Sequence, residues 1–251
     1  MASSLAVKSR ASQVTREEWD LRVELAAAYR LAALNGWVDG VATHISARLP
    51  GEETFLINPF GLLFSEVTAS NLVKIDIEGN VLSETEHPVN KAGFVIHSAV
   101  HQARPDVGCV MHLHTDDGVA VSCLEEGVMP ISQSAMLICD QIAYHEYEGV
   151  SFEIGERERL ASHLGDRNFL MLRNHGTLTA GETVGQAFCR MAALEKVCAI
   201  QVKTLAMGRP IGAVTPESRQ RSAEFGLGIK NVLAWAAFRR ELDRVTTDYM
   251  A

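Results

Sequence analysis

His112 and His114 flank a single leucine at the end of a short apolar run, Val107 to Met111. Such a run reads as a buried strand. Side chains alternate faces along a strand, so residues two apart project together. Two imidazoles converging at a strand end are half of a metal site, because neutral imidazole binds zinc, nickel, cobalt or iron. A third histidine has similar surroundings. Phe169 to Leu172 is another buried-strand run, followed by Arg173-Asn174-His175-Gly176. If those two strand ends are neighbours, His112, His114 and His175 make a three-histidine site. Three protein ligands leave a coordination position open to water or substrate. The competing reading is that each histidine is a hydrogen-bonded polar residue at a strand end.

Further candidates surround this arrangement. Asn58-Pro59-Phe60-Gly61 is a loop whose free backbone groups could cradle a carboxylate or phosphate, with Asn58 and Gly61 at its two ends. Turn chemistry alone would also place them there. His97 falls on a helical pattern one turn after Gly93 and would face the metal. The alternative for His97 is a structural hydrogen bond. His101, one turn further on, reads as exposed.

The elements that must position these residues follow from pattern. Residues 1–14 are small and polar and read as a flexible arm. Thr15 to Glu18 fits a capping box, with Glu18 reaching back. Leu21, Leu25, Ala28, Tyr29 and Ala32 then form one stripe of a helix closed by Asn35-Gly36. Ile45 to Leu49 and Thr54 to Ile57 read as a hairpin across Pro50-Gly51. Leu72 to Ile77 and Val81-Leu82 read as a second. Pro88 suits the first turn of the helix that carries His97. Asp116 or Asp117 suits the cap of a helix running to about Leu124. Gln141 to Glu146 reads as a strand and Gly155 to Leu164 as a helix. Gly181-Glu182-Thr183 opens a long helix to about Met207. Residues 216–245 contain a last helical segment.

With 251 residues, the chain fits one α/β domain, over 15–210, with a C-terminal helical extension over 211–251. The apolar surface of that extension suggests packing on a neighbouring subunit. The net charge of −8, with no basic patch, argues against nucleic acid as a partner. The apolar runs are far below the roughly 18 residues of a membrane span. Leu5-Ala6-Val7 is followed at once by Lys8, which is not a secretory h-region. Five cysteines, an odd count without a CxxC pair, read as reduced thiols of a cytoplasmic protein.

Six ordered segments carry a resemblance to a known family: Thr43-His-Ile-Ser46, Ile57-Asn-Pro-Phe-Gly61, Ala103-Arg-Pro-Asp106, His112-Leu-His114, Ala143-Tyr-His-Glu-Tyr-Glu-Gly149 and Arg173-Asn-His-Gly176. From about Trp19 to Ala206 the sequence resembles the class II aldolase/adducin family. The resemblance implies a three-layer αβα sandwich around a mixed, mainly antiparallel sheet. It also implies a homotetramer, with His112, His114 and His175 as ligands of a divalent metal. Zinc is the first choice, with cobalt, nickel, manganese or iron as alternatives. In that family the cation stabilises the enediolate formed when a carbon–carbon bond breaks, and a nearby acid/base moves the proton.

The chain departs from the aldolase pattern at the site itself. Where sugar-phosphate aldolases carry Pro-Ser-Ser-Glu, this sequence has Asn90-Lys91-Ala92-Gly93. Glycine cannot transfer a proton. Lys91 can still hold an anion. Thr43-His44 replaces the Gly-Asn of a phosphate-binding loop, so His44 is expected to bind an anionic substrate or serve as substitute proton carrier. Its alternative is a polar loop residue bonded to the backbone. Ser134 stands where some members have an acidic tyrosine. Two functions stay open. One is a divalent-metal-dependent lyase, aldolase- or decarboxylase-type, acting on a small oxygenated carbonyl compound or oxoacid. The other is a non-catalytic, adducin-head-like scaffold of actin- or cytoskeleton-binding type, with a vestigial or structural metal site.

Overall fold

The structure is a computed structural model describing residues 11–149, 155–226 and 230–251, with the side chains of residues 91, 92 and 230–232 outside that description. Residues 1–10 of the expected arm lie outside the described residues. Helix α1 (Arg16–Leu34) begins at Thr15, whose hydroxyl accepts from the Glu18 N–H at 3.1 Å. The capping box is half formed. The Glu18 carboxylate turns inward to Arg22 at 2.8 Å and Lys74 at 3.2 Å, because a buried guanidinium needs a paired anion.

Among the described residues seven strands form one sheet, in the order β3-β2-β1-β4-β7-β6-β5. They are β1 (His44–Arg48), β2 (Thr54–Ile57), β3 (Val73–Asp76), β4 (Cys109–Leu113), β5 (Ile142–His145), β6 (Phe169–Leu172) and β7 (Gly176–Gly181). Strands β5 and β6 run parallel, and the other neighbours run antiparallel. Val81 makes only an isolated bridge to Ile75, so the expected second hairpin stops after one pair. Strand β7 was not expected. Its Thr177-Leu178-Thr179 alternation is short and lies between glycines, yet it bridges β4 to β6. Its threonines remain buried because Thr177 donates to Glu195 at 3.0 Å and Thr179 to the Ala187 carbonyl at 2.9 Å.

Helices cover both faces. Alternate residues of the central strands divide between them: Ile45, Cys109 and Met111 pack with α1 and α6 (Val184–Ala206), whereas Val110, Leu170 and Leu178 pack with α2 (Lys91–Ala103) and α5 (Glu156–Leu164). This is the expected three-layer sandwich. Each fully buried Leu or Phe in these layers contributes about 1.5–3 kcal/mol. Pro88 lies before α2 rather than in its first turn, and its carbonyl accepts from Phe60 N–H at 2.9 Å. Thr115, not an aspartate, caps α3 (Asp116–Ser122). A short helix, α4 (Gln133–Met136), went unanticipated.

The C-terminal segment is two helices, α7 (Pro216–Phe225) and α8 (Lys230–Val245). Helix α8 places Trp235 and Phe238 on Phe188 of its own chain. Leu242 is buried in the same core, while Leu233 is exposed. Among the described residues no helix is long and apolar enough to cross a membrane.

Candidate active site

Strand register brings the histidines together. His112 lies one residue before the end of β4, beside β7, and His175 lies one residue before β7 starts. Leu113 pairs with Thr177, so His114 and His175 flank the same end of the pair. The approach is close: a Cβ on Gly176 would sit 2.4 Å from the Leu113 carbonyl oxygen. The turn before it places Asn174 at φ 55°, a left-handed conformation that asparagine tolerates better than most residues. The candidate ligand nitrogens of His112, His114 and His175 all lie within 4.8 Å of one another.

Hydrogen bonds set which nitrogens face inward. The Nδ1–H of His112 donates to the Thr177 carbonyl at 2.9 Å. Nδ1 of His114 lies 2.9 Å from Asp39 Oδ2, so it too is the protonated nitrogen. Both Nε2 atoms therefore carry lone pairs, and they are 2.9 Å apart. Facing lone pairs repel unless a cation or proton lies between them. Burial, and then the neighbouring imidazoles of His175, His114 and His44, push protonation of His112 far below the ordinary histidine range. Burial and His114 lower His175 to about 4. Neutral imidazoles with converging lone pairs fit a divalent cation. A carboxylate or carbonyl behind each ligating imidazole is the usual support of such a site.

The remaining expected residues fall in distinct places. His44, on β1, pairs across the sheet with His112, ring centroids 5.1 Å apart. His97 lies behind it, with its Nε2 2.8 Å from His44 Nδ1. His97 thus faces His44 rather than the ligand triad. The His101 expectation fails: it is buried, because it lies one helical turn beyond His97 on the sheet side of α2. Asn58 is buried and turned inward, its Oδ1 2.9 Å from the Tyr29 hydroxyl, which also receives the Ile45 N–H at 2.7 Å. Gly61 is exposed at φ 102°. Lys91 opens α2, but its side chain lies outside the described residues. Asp39 was missed, since its exposed loop has no periodic pattern. Glu195 was missed as well. Buried on α6, it receives the hydroxyls of Thr115 and Thr177 and so ties together the chain beside both ligand strands. Burial raises the Glu195 carboxyl above its ordinary range.

Residues 23–202 match the family described as Class II Aldolase and Adducin N-terminal domain. The chain belongs to that family. A putative aldolase class 2 protein of Caulobacter vibrioides is 49% identical over 251 residues, covering 98% of each chain. Mouse alpha-adducin is 47% identical over 190 residues, which span 74% of this chain and 26% of adducin. The solved L-fuculose 1-phosphate aldolase of Glaciozyma antarctica PI12 is 29% identical, with a TM-score of 0.81 over 91% of this chain and 90% of its own.

For a class II aldolase relative, Gly93 has a local physical cause. A Cβ there would lie 2.6 Å from Cδ2 of His44 and 2.9 Å from its Nε2. The imidazole of His44 occupies the space that a side chain at position 93 would need. The departures at positions 44 and 93 thus fill one space.

Proposed function

We propose that this protein is a divalent-metal-dependent lyase, aldolase- or decarboxylase-type, acting on a small oxygenated carbonyl compound or oxoacid. The observation that carries this reading is the convergence of three imidazoles, two with their tautomers set by Thr177 and Asp39. His112, His114 and His175 would hold the ion, zinc by first choice. When bound, a cation there supplies Lewis acidity toward carbonyl and hydroxyl oxygens. In place of the carboxylate that Gly93 lacks, His44 takes up the substrate proton at Nε2, and His97 orients it through Nδ1. Asn58, tied to Tyr29, fixes the loop whose backbone, with Gly61, receives an anionic substrate group. Lys91 adds a positive charge from the start of α2. The same reading makes the protein a cytoplasmic homotetramer, with exposed Leu233 on a subunit contact.

Metal analysis and turnover test it. The purified protein should hold about one divalent ion per chain, and His112→Ala should weaken binding by at least about tenfold. Screening oxoacids, hydroxy acids and sugar phosphates should find turnover that chelation and His175→Ala abolish. Absence of stoichiometric metal after careful handling would defeat the proposal.

The glycine at 93 favours one rival: a non-catalytic, adducin-like interaction protein with a structural metal. Mouse alpha-adducin is also more alike in sequence than the solved aldolase. Full metal occupancy with no turnover on any of these substrates would select the rival.

A further inference from the structure

Behind the triad runs a file of buried polar groups that the proposed chemistry uses only at its near end. His44 Nδ1 lies 2.8 Å from His97 Nε2. His97 Nδ1 lies 2.5 Å from Ser46 Oγ, and Ser46 Oγ lies 2.7 Å from His101 Nε2. None of the four residues is more than 2% exposed. Periodicity explains the file. His44 and Ser46 are two apart on β1 and share a face, and His97 and His101 are four apart on α2 and share a stripe. The far end is blind. Nδ1 of His101 is buried without a well-formed hydrogen bond. Its ring packs on Phe55 at 5.0 Å, and the Val107 backbone favours a proton on it.

All three rings are buried in the core, where the charged imidazolium is disfavoured, so each ring is neutral and carries one N–H. A neutral imidazole donates from one nitrogen and accepts at the other. The Ser46 hydroxyl, between two rings, must donate to one and accept from the other. Hydrogen-bond direction is therefore a single choice shared by the whole file. In one direction the His101 proton sits on Nδ1, the nitrogen that does not face Ser46. Ser46 then donates to His101 Nε2, His97 Nδ1–H to Ser46, and His44 Nδ1–H to His97 Nε2. His44 Nε2 is left bare. In the other direction every bond reverses, His44 Nε2 carries the proton, and His101 Nδ1 is left with no donor.

We infer that Ser46 and His101 are positioning residues for His44: they set the direction of the file, hold the His44 proton on Nδ1 and leave Nε2 bare. A bare nitrogen can take a proton from a substrate, whereas a protonated one cannot. The catalytic meaning of this inference rests on the reading of His44 as proton carrier. The tautomer itself does not.

Nitrogen chemical shifts report which ring nitrogen carries the proton. Long-range proton–nitrogen spectra of the full chain, labelled with ring-¹⁵N histidine, decide the matter, with His44 assigned by the signal lost in His44→Gln. The wild type should show Nδ1 protonated and Nε2 bare by about tenfold or more. Ser46→Ala, shown by thermal melting to be folded, should drop that preference below about threefold. His101→Leu should do the same, and Ser46→Thr should restore the wild-type pattern. A wild-type His44 that is averaged or protonated at Nε2 overturns the inference, as does an unchanged tautomer in folded Ser46→Ala. The wild-type spectrum decides even if no variant folds. If His44→Gln keeps turnover while Ser46→Ala scrambles the tautomer, the proton-carrier reading falls and the positioning role stands. The reverse pattern removes the positioning role alone.

Discussion

Gly93 and His44 are one unit at the residue scale. An exposed Gly→Ala change inside a helix ordinarily gains up to about 1 kcal/mol from helix propensity. At position 93 the new methyl would meet the His44 ring at 2.6 Å, and that ring is held by His97 at 2.8 Å. Crowding of this kind costs about 1–3 kcal/mol. Gly93→Ala should therefore destabilise the protein in denaturant titration. In a His44→Ala background the same change should become neutral or stabilising, since residues in contact are not additive. Equal effects in both backgrounds would show that the ring does not fill this space.

Strand β7 decides the site at the element scale. It pairs with β4 and β6 at once, and its first residue sets how near His175 comes to the other ligands. A methyl on Gly176 would meet the Leu113 backbone oxygen at 2.4 Å. A backbone atom inside a sheet cannot swing aside as a side-chain tip can. Gly176→Ala should cost about 1–3 kcal/mol by overpacking, and zinc titration should show weaker binding as His175 is pushed outward. Unchanged zinc affinity would mean that the strand end has slack. Glu195 works on the same element from behind, through the threonine hydroxyls on either side of the β4–β7 pair.

The buried histidines set an acid limit on the whole molecule. His101 is lowered to about 3 by burial and then by the charge of Arg48. His97 is lowered by burial and then by His101. A free histidine titrates near 6.5. Below that pH the unfolded chain gains protons that the folded chain refuses, so stability is full above about pH 6.5 and declines as pH falls toward 3. Each such group adds a slope of up to about 1.4 kcal/mol per pH unit. Urea midpoints measured between pH 7.5 and pH 5 should fall accordingly, and His101→Leu should flatten the decline. An equally steep decline in that variant would assign the slope to other groups.

Local patterns were legible in the residues themselves. The apolar run before His112, the stripe of α1, the threonine before Glu18 and the alternation that sends His112 and His114 the same way each depend on neighbours within a few positions, where strand and helix periods apply. The ordered motifs carried the family and, with it, the sandwich. Long-range pairing was not legible. Asp39 meets His114 from 75 positions away, and Thr177 is a short strand residue whose carbonyl, not its side chain, orients His112. The burial of His101 and its link through Ser46 to His97 required α2 to lie across β1, a packing choice made by the whole core. Gly93 read as a loss because sequence lists side chains one by one. Only the folded chain brings His44 into the volume that the missing side chain leaves, since occupancy of space is a property of several segments together.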